Sequence, residues 1–291
     1  MDVLSFIADP MAYGFMQRGL VASVLVGIVC AAMGTFVVLK GLAFIGDAVS
    51  HATFPGLVIA YLVGAPLYVG GAIAAVATAL AIGFVSRRGG LRFDTSVGVL
   101  FAGTFAFGVL LFSTIKNYVA DLLGYLLGNV LGISAGDLVQ LAVLSAIVLA
   151  VVLLIRKELL YATFDPLGAA ASGLPVAALE YLLLALLGVT IVVSIQAVGI
   201  IMVVAMLVTP SATAQLLVVR FGRMMAVAVA IAAASAVVGL YLSFYLNLAS
   251  GASIVLVETA IFGVVLVLSP RSGLLGRRRR ARAIEAQPPA A

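Results

Sequence analysis

The sequence contains one cysteine, one histidine and no tryptophan, and charged residues occupy only 9% of its 291 positions. With Cys30 alone, an intrachain disulfide framework and a thiolate metal cluster are both excluded. One histidine is too few for a His-Glu-x-x-His zinc enzyme, which needs about three protein ligands and a base. The sequence has no Gly-x-x-x-x-Gly-Lys-Ser/Thr loop, so any ATP must be bound by another polypeptide. We therefore expect a non-enzymatic chain without a permanently bound cofactor.

Hydrophobic residues make up 65% of the sequence, more than a soluble core of this size requires. Apolar runs of about 18 to 25 residues, long enough to cross the hydrocarbon layer as helices, recur along the whole chain. These runs do not alternate apolar and polar residues, as the strands of a membrane barrel do. The predicted fold class is therefore all-α, a polytopic membrane protein with about eight or nine transmembrane helices in one domain, residues 1–270.

The formal net charge of +5 comes largely from arginines near the C-terminus. Lysine and arginine concentrated in short loops and tails mark the cytoplasmic side of a membrane protein, so this charge predicts no nucleic-acid partner. Residues 271–291 are polar and basic and end in a Gln-Pro-Pro stretch. We expect them to form a disordered cytoplasmic tail that contacts anionic membrane lipid.

Nine apolar stretches are long enough to be predicted as transmembrane helices. A further stretch, 121–132, is short and rich in glycine, so we expect it to be re-entrant or interfacial. The basic loops at 87–92, 156–157 and 220–223 and the basic tail are separated from one another by two crossings each. All four can therefore lie in the cytoplasm, with the C-terminus inside and the N-terminus outside. The predicted helices lie near 16–39, 43–62, 68–86, 95–114, 137–155, 176–194, 199–219, 225–246 and 254–269.

The stretch Gly41–Gly56 places Asp47 and His51 four positions apart in an otherwise apolar helix. Positions i and i+4 share one helix face, so the carboxylate and the imidazole can bind the same cation. Ionisable residues at membrane depth are costly and typically functional, which favours an ion path. The spacing leaves open the alternative that His51 makes a structural hydrogen bond to a neighbouring helix.

Two prolines interrupt predicted transmembrane helices and are candidate gating positions. Pro55 removes the helical donor for the His51 carbonyl, so we expect a bend there. Pro210 is expected to kink the seventh helix, with Ser211 and Thr213 satisfying the backbone groups that it frees.

For the remaining polar and sulfur-containing residues of the predicted spans, a structural role is favoured over a functional one. Glu258, in the last helix, is expected to hydrogen-bond to another helix or to pair with a buried arginine, and a place on the ion path is the alternative. Glu180 is predicted to anchor its helix at the membrane interface. Met202 and Met206 share a helix face, and packing is favoured over binding of a soft metal.

Residues 161–175 connect the fifth and sixth predicted spans through a short cytoplasmic helix. Asp165 followed by Pro166 is typical of a helix start, with Asp165 as the N-cap and the proline at the first helical position. Gly173 is the predicted stop. A helix of about two turns with small surface residues allows another protein to approach closely. Docking is therefore one interpretation, and an unpartnered surface helix is the other.

Four stretches of this sequence resemble the permease subunits of ATP-binding-cassette importers for zinc, manganese or iron. The resemblance runs through about residues 12–270, and the first and last stretches are the most specific. The stretches are Gly41-Leu-Ala-Phe-Ile-Gly-Asp-Ala-Val-Ser-His-Ala, Leu126-Leu-Gly-Asn-Val-Leu-Gly-Ile-Ser134, Phe164-Asp-Pro through Ala-Ala-Ala-Ser-Gly-Leu174, and Val198-Gly-Ile-Ile-Met-Val-Val-Ala-Met-Leu-Val-Thr-Pro-Ser-Ala-Thr-Ala214.

The resemblance implies a homodimer in the bacterial cytoplasmic (inner) membrane, driven by cytoplasmic ATP-binding-cassette ATPase subunits and supplied by an extracytoplasmic metal-binding protein. It implies that Asp47 and His51 line the ion path near the dimer axis. The short helix, about residues 163–173, would be the coupling helix that contacts the ATPase. Leu167 and Gly168 stand where relatives often have more polar or bulkier residues. The coupling residues so indicated are Phe164, Asp165, Pro166, Leu167, Ala169, Ala170, Ser172 and Gly173.

Two copies of Asp47 and His51 would supply two oxygen and two nitrogen ligands. This set suits manganese or zinc, with iron as a further candidate, better than calcium or magnesium, which favour all-oxygen shells. Histidine binds a metal only when its ring is neutral, so transport is expected to weaken in acid. The alternative function is a self-sufficient secondary transporter or channel for divalent cations. That protein would need no docking helix and would usually carry more intramembrane acids.

Overall fold

A computed structural model describes residues 8–115 and 130–269, and within these two ranges the chain forms helices and no strand. Most of the helices are long and apolar, and a 3-10 turn, Val130–Gly132, precedes the fifth of them. The helices are α1 (Gly14–Leu39), α2 (Ile45–Val63), α3 (Leu67–Arg88), α4 (Phe93–Ser113), α5 (Ala135–Leu154), α6 (Arg156–Phe164), α7 (Pro166–Ala171), α8 (Val176–Val198), α9 (Ile200–Leu217), α10 (Phe221–Leu246) and α11 (Ser250–Leu268).

Eight of the described helices, namely α1, α3, α4, α5, α8, α9, α10 and α11, are long and apolar enough to cross a membrane. The all-α, multi-pass membrane class predicted from the sequence is therefore confirmed. Helix α2 has 19 residues but is not one of the eight. The polar side chains of Asp47, Ser50 and His51 lower its average hydropathy, so the least apolar predicted span is the one that carries the ionisable pair.

The predicted helix boundaries lie within four residues of those observed, and the differences concern the ends of α8, α10 and α11 most. One helix was not predicted, since the basic stretch that begins at Arg156 reads as a loop but forms the nine-residue α6. The coupling helix predicted at about 163–173 is shorter than expected, because residues 163 and 164 belong to α6 and α7 has only six residues. The predictions for 121–129 and for the tail fall outside the described residues.

Helix α1 lies at the centre of the bundle and packs against α5, α8, α9 and α10. Its apolar stretch is 72% buried, a larger share than in any of the other seven long helices described. Phe36 and Met33 are fully buried in the core around it. Contact with α9 depends on Gly34, where a Cβ atom would lie 1.7 Å from the carbonyl oxygen of Leu207. A small residue thus lets the two backbones touch, as is common between membrane helices.

Helix α2 is held between α3 and α4, and this fixes the direction of its polar face. On one side, a Cβ at Gly56 would lie 2.1 Å from the carbonyl oxygen of Gly70 in α3. On the other side, Pro55 of α2 lies against Gly108 of α4, where a Cβ would be 3.0 Å from the proline ring. Two close backbone contacts therefore leave α2 little freedom to rotate about its axis.

Both prolines that are predicted gating positions lie within continuous helices, Pro55 in α2 and Pro210 in α9. Thr213 donates a hydrogen bond to the Thr209 carbonyl of its own helix at 2.7 Å, and this is not the Met206 carbonyl that loses its helical donor at Pro210. The expectation for Ser211 is wrong, because its hydroxyl donates to the Ala31 carbonyl of α1 at 3.1 Å. Ser211 therefore joins two helices and does not repair the helix around the proline.

The basic loops lie at one end of the bundle, as the charge pattern predicts. Arg87, at the end of α3, forms an ion pair with Glu180, at the start of α8. The basic residues at the starts of α6 and α10 line one concavity. Lys40 lines a small cavity with Glu180, which places the end of α1 at the same level. The short helix α7 connects α6 to α8 and therefore belongs to this end as well.

Candidate ion-transit site

The ionisable pair lies in the first half of α2, on one helix face. The Nε2 atom of His51 is 3.5 Å from the Oδ1 atom of Asp47, as the i, i+4 spacing predicts. The side chain of Asp47 is 50% exposed and that of His51 is 35% exposed. The two donor atoms therefore lie together and remain accessible from outside the chain.

Two aromatic side chains of α4 form a wall beside the imidazole. The ring of His51 lies 5.6 Å from that of Phe101 and 5.6 Å from that of Phe105, the second contact being edge-on. Phe101 and Phe105 stack on each other with ring centroids 6.0 Å apart. Neither residue is among those predicted from the sequence, although two aromatics at i, i+4 in the helix after the acid–histidine helix are a signal that points to them. They restrict the ring to the side of α2 that carries Asp47.

The separation of the two donor atoms suits a shared metal ion. Two ligands each about 2.1 Å from a tetrahedral ion lie roughly 3.4 Å apart, and the observed distance is 3.5 Å. One chain nevertheless offers only these two ligands, because no group of three or more histidine, cysteine, aspartate or glutamate side chains occurs among residues 8–115 and 130–269. The ligand shell that one chain provides is therefore half of a four-ligand site.

The face of α2 that carries the pair is only partly covered by the described part of the chain. Phe44, at the N-cap of α2, is 74% exposed and lies on the same face as Asp47 and His51 by the i, i+3, i+7 spacing. The following turns are different, since every residue from Ala52 to Val58 is buried. The buried middle of α2 therefore separates the exposed ligand-bearing end from a second exposed stretch at the end of the helix, which includes Leu62 and Val63.

Helix α7 is stabilised by the residues that the sequence marked as its start. The Oδ1 atom of Asp165 accepts a hydrogen bond from the backbone N–H of Gly168 at 2.8 Å, and Pro166 occupies the first helical position. A Cβ at Gly168 would lie 2.2 Å from the other carboxylate oxygen of Asp165, so the cap requires glycine there. The hydroxyls of Tyr161 and Ser172 are 3.3 Å apart and connect α6 to the end of α7.

The tip of this turn exposes two large apolar side chains. Leu167 is 85% exposed and Phe164 is 66% exposed, whereas Ala169 is fully buried against the bundle. Gly173 follows α7 with a φ of 84°, which matches its predicted role as the helix stop. The predicted coupling residues are thus brought together in one turn, with Phe164 at the end of α6 and the others in or beside α7.

Glu258 is placed away from the Asp47–His51 pair. Helix α11 packs mainly against α9 and α10, whereas α2 packs mainly against α3 and α4. The side chain of Glu258 is fully buried, and neither carboxylate oxygen has a hydrogen-bond partner among the described residues. The expected hydrogen bond or arginine partner is therefore not found in this part of the chain.

The other residues singled out in the sequence have structural contacts. Glu180 is more than an interfacial anchor, since it forms the ion pair with Arg87 that joins α8 to α3. Met202 and Met206 are both buried in the main core cluster, which agrees with the packing interpretation. Cys30 is buried, and its sulfur lies 3.5 Å from the Ser194 hydroxyl of α8.

This chain is similar to known membrane transport proteins along almost its whole length. Residues 12–269 match the model of the ABC 3 transport family. The chain is 43% identical to the manganese transport system membrane protein MntC of Halalkalibacterium halodurans, over 97% of each chain. It is 42% identical to the chelated iron transport system membrane protein YfeD of Yersinia pestis, over 91% of this chain and 89% of that protein.

A solved structure gives the same result for the fold. PsaBC from Streptococcus pneumoniae, solved in complex with a Fab, includes a chain that is 32% identical to this one, with a TM-score of 0.83. The match covers 95% of this chain and 100% of the solved chain. The multi-pass helical bundle and the family match agree over the same residues, so this chain is a membrane protein that belongs to the ABC 3 transport family.

Proposed function

We propose that two copies of this chain form the transmembrane pathway of an ATP-driven importer for a divalent transition metal ion, manganese or zinc with iron as a further candidate. The observation that carries the proposal is the Asp47–His51 pair, with donor atoms 3.5 Å apart on a partly covered face of α2. Membership of the ABC 3 family and the names of the manganese and chelated-iron relatives support the class of cargo. The ion is the substrate of this pathway and not a resident cofactor.

A second copy would complete the site. A charged side chain that faces hydrocarbon costs about 2.5–3.5 kcal/mol on insertion scales, so the half-exposed Asp47 needs a cover. A twofold axis beside the exposed face of α2 would bring the same patch of another copy against it. The two copies would then enclose one ion with two carboxylate oxygens and two imidazole nitrogens, the number that a tetrahedral ion requires.

The energy for import would come from another polypeptide, since the sequence has no Gly-x-x-x-x-Gly-Lys-Ser/Thr loop. The exposed Leu167 and Phe164 support contact between the α7 turn and a cytoplasmic ATPase subunit. Excess lysine and arginine mark the cytoplasmic side, so the end of the bundle that carries the basic loops and α7 would face the ATPase. An extracytoplasmic metal-binding protein would deliver the ion at the opposite end.

This assignment also defines the extent of the working unit. Residues 1–270 would form one permease domain in a bacterial cytoplasmic membrane, with the basic residues 271–291 following it on the cytoplasmic side. The N-terminus would then lie outside. A self-sufficient secondary transporter fits less well, because the ABC 3 transport family model matches residues 12–269, which include all the described transmembrane helices.

The proposal is tested by uptake into vesicles reconstituted with this chain, its ATPase subunit and its metal-binding protein. Manganese, zinc and iron are supplied separately and then in competition. We expect uptake that requires ATP, and we expect Asp47→Asn and His51→Gln each to lower the initial rate to about a tenth of wild type or less, because each removes two of four ligands from the dimer.

Asp94→Asn is the matched control, since Asp94 is a carboxylate in the first turn of α4 and has no ion-pair partner among the described residues. It should transport at the wild-type rate. Normal uptake by both Asp47→Asn and His51→Gln would remove the pair from the ion path. Uptake by the chain alone, without ATPase or nucleotide, would instead support the secondary transporter.

A further inference from the structure

A second polar site lies at the end of the bundle that carries α7, well separated in sequence from the Asp47–His51 pair. It is an open concavity of about 450 Å³ between the start of α6 and the start of α10. Four cationic residues line it, and they come from two segments more than 60 residues apart in the sequence. We call it the basic pocket, and its lining residues are Arg156, Lys157, Leu160, Arg220, Phe221, Gly222 and Arg223.

The positive charge of the basic pocket is not neutralised within the described part of the chain. The ion pairs found among residues 8–115 and 130–269 are Asp47–His51 and Arg87–Glu180, and neither involves a residue of the basic pocket. Like charges held around one concavity repel one another and raise the local potential, which attracts a counter-ion. The four cationic residues that line the basic pocket therefore form no ion pair with a described residue.

The shape and the walls of the basic pocket indicate what kind of anion fits. Arginine has a planar fork of donors that matches phosphate oxygens, and three of the four cations are arginines. Leu160 and Phe221 add apolar surface beside the charges. Nothing lies within 4 Å of the position that a Cβ at Gly222 would take, so the backbone at the start of α10 is open to a ligand.

The first turn of α10 adds backbone donors to the same opening. Its N-cap residue, Arg220, makes no side-chain cap, and no acidic residue occurs in the first turn. The first N–H groups of a helix have no partner within the helix, and an anion satisfies them. These donors supplement the four cations, which define the site.

We propose that the basic pocket binds a phosphate group, carried by the headgroup of an anionic phospholipid or by a soluble phosphate. A topology signal needs only positive charge on one side of the membrane. Arg88 and Arg92 provide such charge in the α3–α4 loop without lining the pocket. The placement of Arg156, Arg220 and Arg223 around one concavity of about 450 Å³ goes beyond that requirement.

Binding to the full-length chain can be measured by native mass spectrometry, with phosphatidylglycerol, phosphatidylcholine and inorganic phosphate as probes. Arg220→Gln/Arg223→Gln removes two charges from the basic pocket and should weaken phosphatidylglycerol or phosphate binding by about tenfold or more. Gly222→Leu keeps every charge but fills the opening, and it should weaken binding to a similar degree. Arg88→Gln/Arg92→Gln removes the same charge outside the basic pocket and should leave binding unchanged.

The probes distinguish the two sources of phosphate. Retention of phosphatidylglycerol over phosphatidylcholine, with displacement by inorganic phosphate, would support a lipid headgroup. Binding of inorganic phosphate without retained lipid would support a soluble ligand. Equal losses in the Arg88/Arg92 and Arg220/Arg223 variants would overturn the proposal, since binding would then follow surface charge alone. A failure of the wild-type chain to bind either probe would also overturn the proposal. If, in addition, Arg220→Gln/Arg223→Gln lowered the recovery of an ATPase subunit, the basic pocket would be a protein contact and not a phosphate site.

Discussion

The imidazole of His51 meets the ring of Phe105 edge-on, with 5.6 Å between the ring centroids. The contact crosses from α2 to α4, so the orientation of the proposed ligand depends on a neighbouring helix as well as on its own. Edge-on aromatic contacts contribute about 0.5–1.5 kcal/mol beyond the area they bury. Phe105 therefore stabilises one orientation of a side chain that is 35% exposed.

Phe105→Ala should reduce metal uptake severalfold without removing it. The ligands remain, but the ring of His51 loses one of its two aromatic neighbours and samples orientations that cannot bind. Phe107→Ala is the matched control, because Phe107 is on the same helix, is 51% exposed and has no ring contact with His51 among the described residues. Initial uptake rates in reconstituted vesicles check the difference, and equal rates in the two variants would contradict the orienting role of Phe105.

Phe44→Cys should form a disulfide between two copies of the chain. Phe44 is 74% exposed on the ligand-bearing face of α2, and the proposed twofold axis lies beside that face. The native Cys30 is buried, so a Cys30→Ser background leaves the new thiol as the only one. Crosslinked dimer on a non-reducing gel is the readout. Val219 is 84% exposed between α9 and α10, away from that face, so Val219→Cys should form no crosslink. Crosslinking at position 219 but not at position 44 would place the dimer contact elsewhere.

Asp165→Ala should weaken the association of the chain with its ATPase. The side chain of Asp165 accepts the Gly168 N–H at the start of α7, and loss of such a cap costs about 0.5–2 kcal/mol. Asp165→Ser retains a capping oxygen and should restore most of the association. Recovery of the ATPase in a pull-down is the measurement. If alanine and serine behave alike, the cap does not support the contact surface.

Glu258→Met should raise the thermal stability of the purified chain. The two carboxylate oxygens of Glu258 are buried without hydrogen-bond partners in the described structure, and an unsatisfied buried polar group costs about 1–3 kcal/mol. Methionine has a similar length and no such groups, while Glu258→Gln retains polar atoms and should give a smaller gain. The melting temperature in detergent reports the change. A lower melting temperature for Glu258→Met, or a loss of uptake at normal expression, would show that the carboxyl group has a partner or a transport role.

The sequence predicts the long helices well because hydrocarbon imposes a length and a composition on each of them. It does not reveal α6, because Arg156 and the charged residues after it form a nine-residue helix too short and too polar to carry a membrane signal. The spacing of Asp47 and His51 is local, so their proximity follows from helix geometry alone. The Phe105 contact depends on how α4 packs against α2, and no local pattern fixes that packing.

Relations between distant segments account for the other differences. Ser211 bonds to the Ala31 carbonyl because α9 packs closely against α1 at Gly34. The sequence predicts a hydrogen-bond or ion-pair partner for Glu258. Whether a partner lies within reach depends on how α11 packs against both α9 and α10, which no local pattern fixes. The basic pocket appears only when the starts of α6 and α10 are brought side by side, although each segment alone is an ordinary basic stretch.

The most direct test of the shared site is the number of metal ions bound per chain. The purified dimer would be equilibrated with manganese and desalted, and its metal content would be measured by mass spectrometry against protein concentration. We expect one ion for every two chains, with no retained ion in Asp47→Asn and the wild-type ratio in Asp94→Asn. One ion for each chain, or full retention by Asp47→Asn, would contradict a site that two copies complete together.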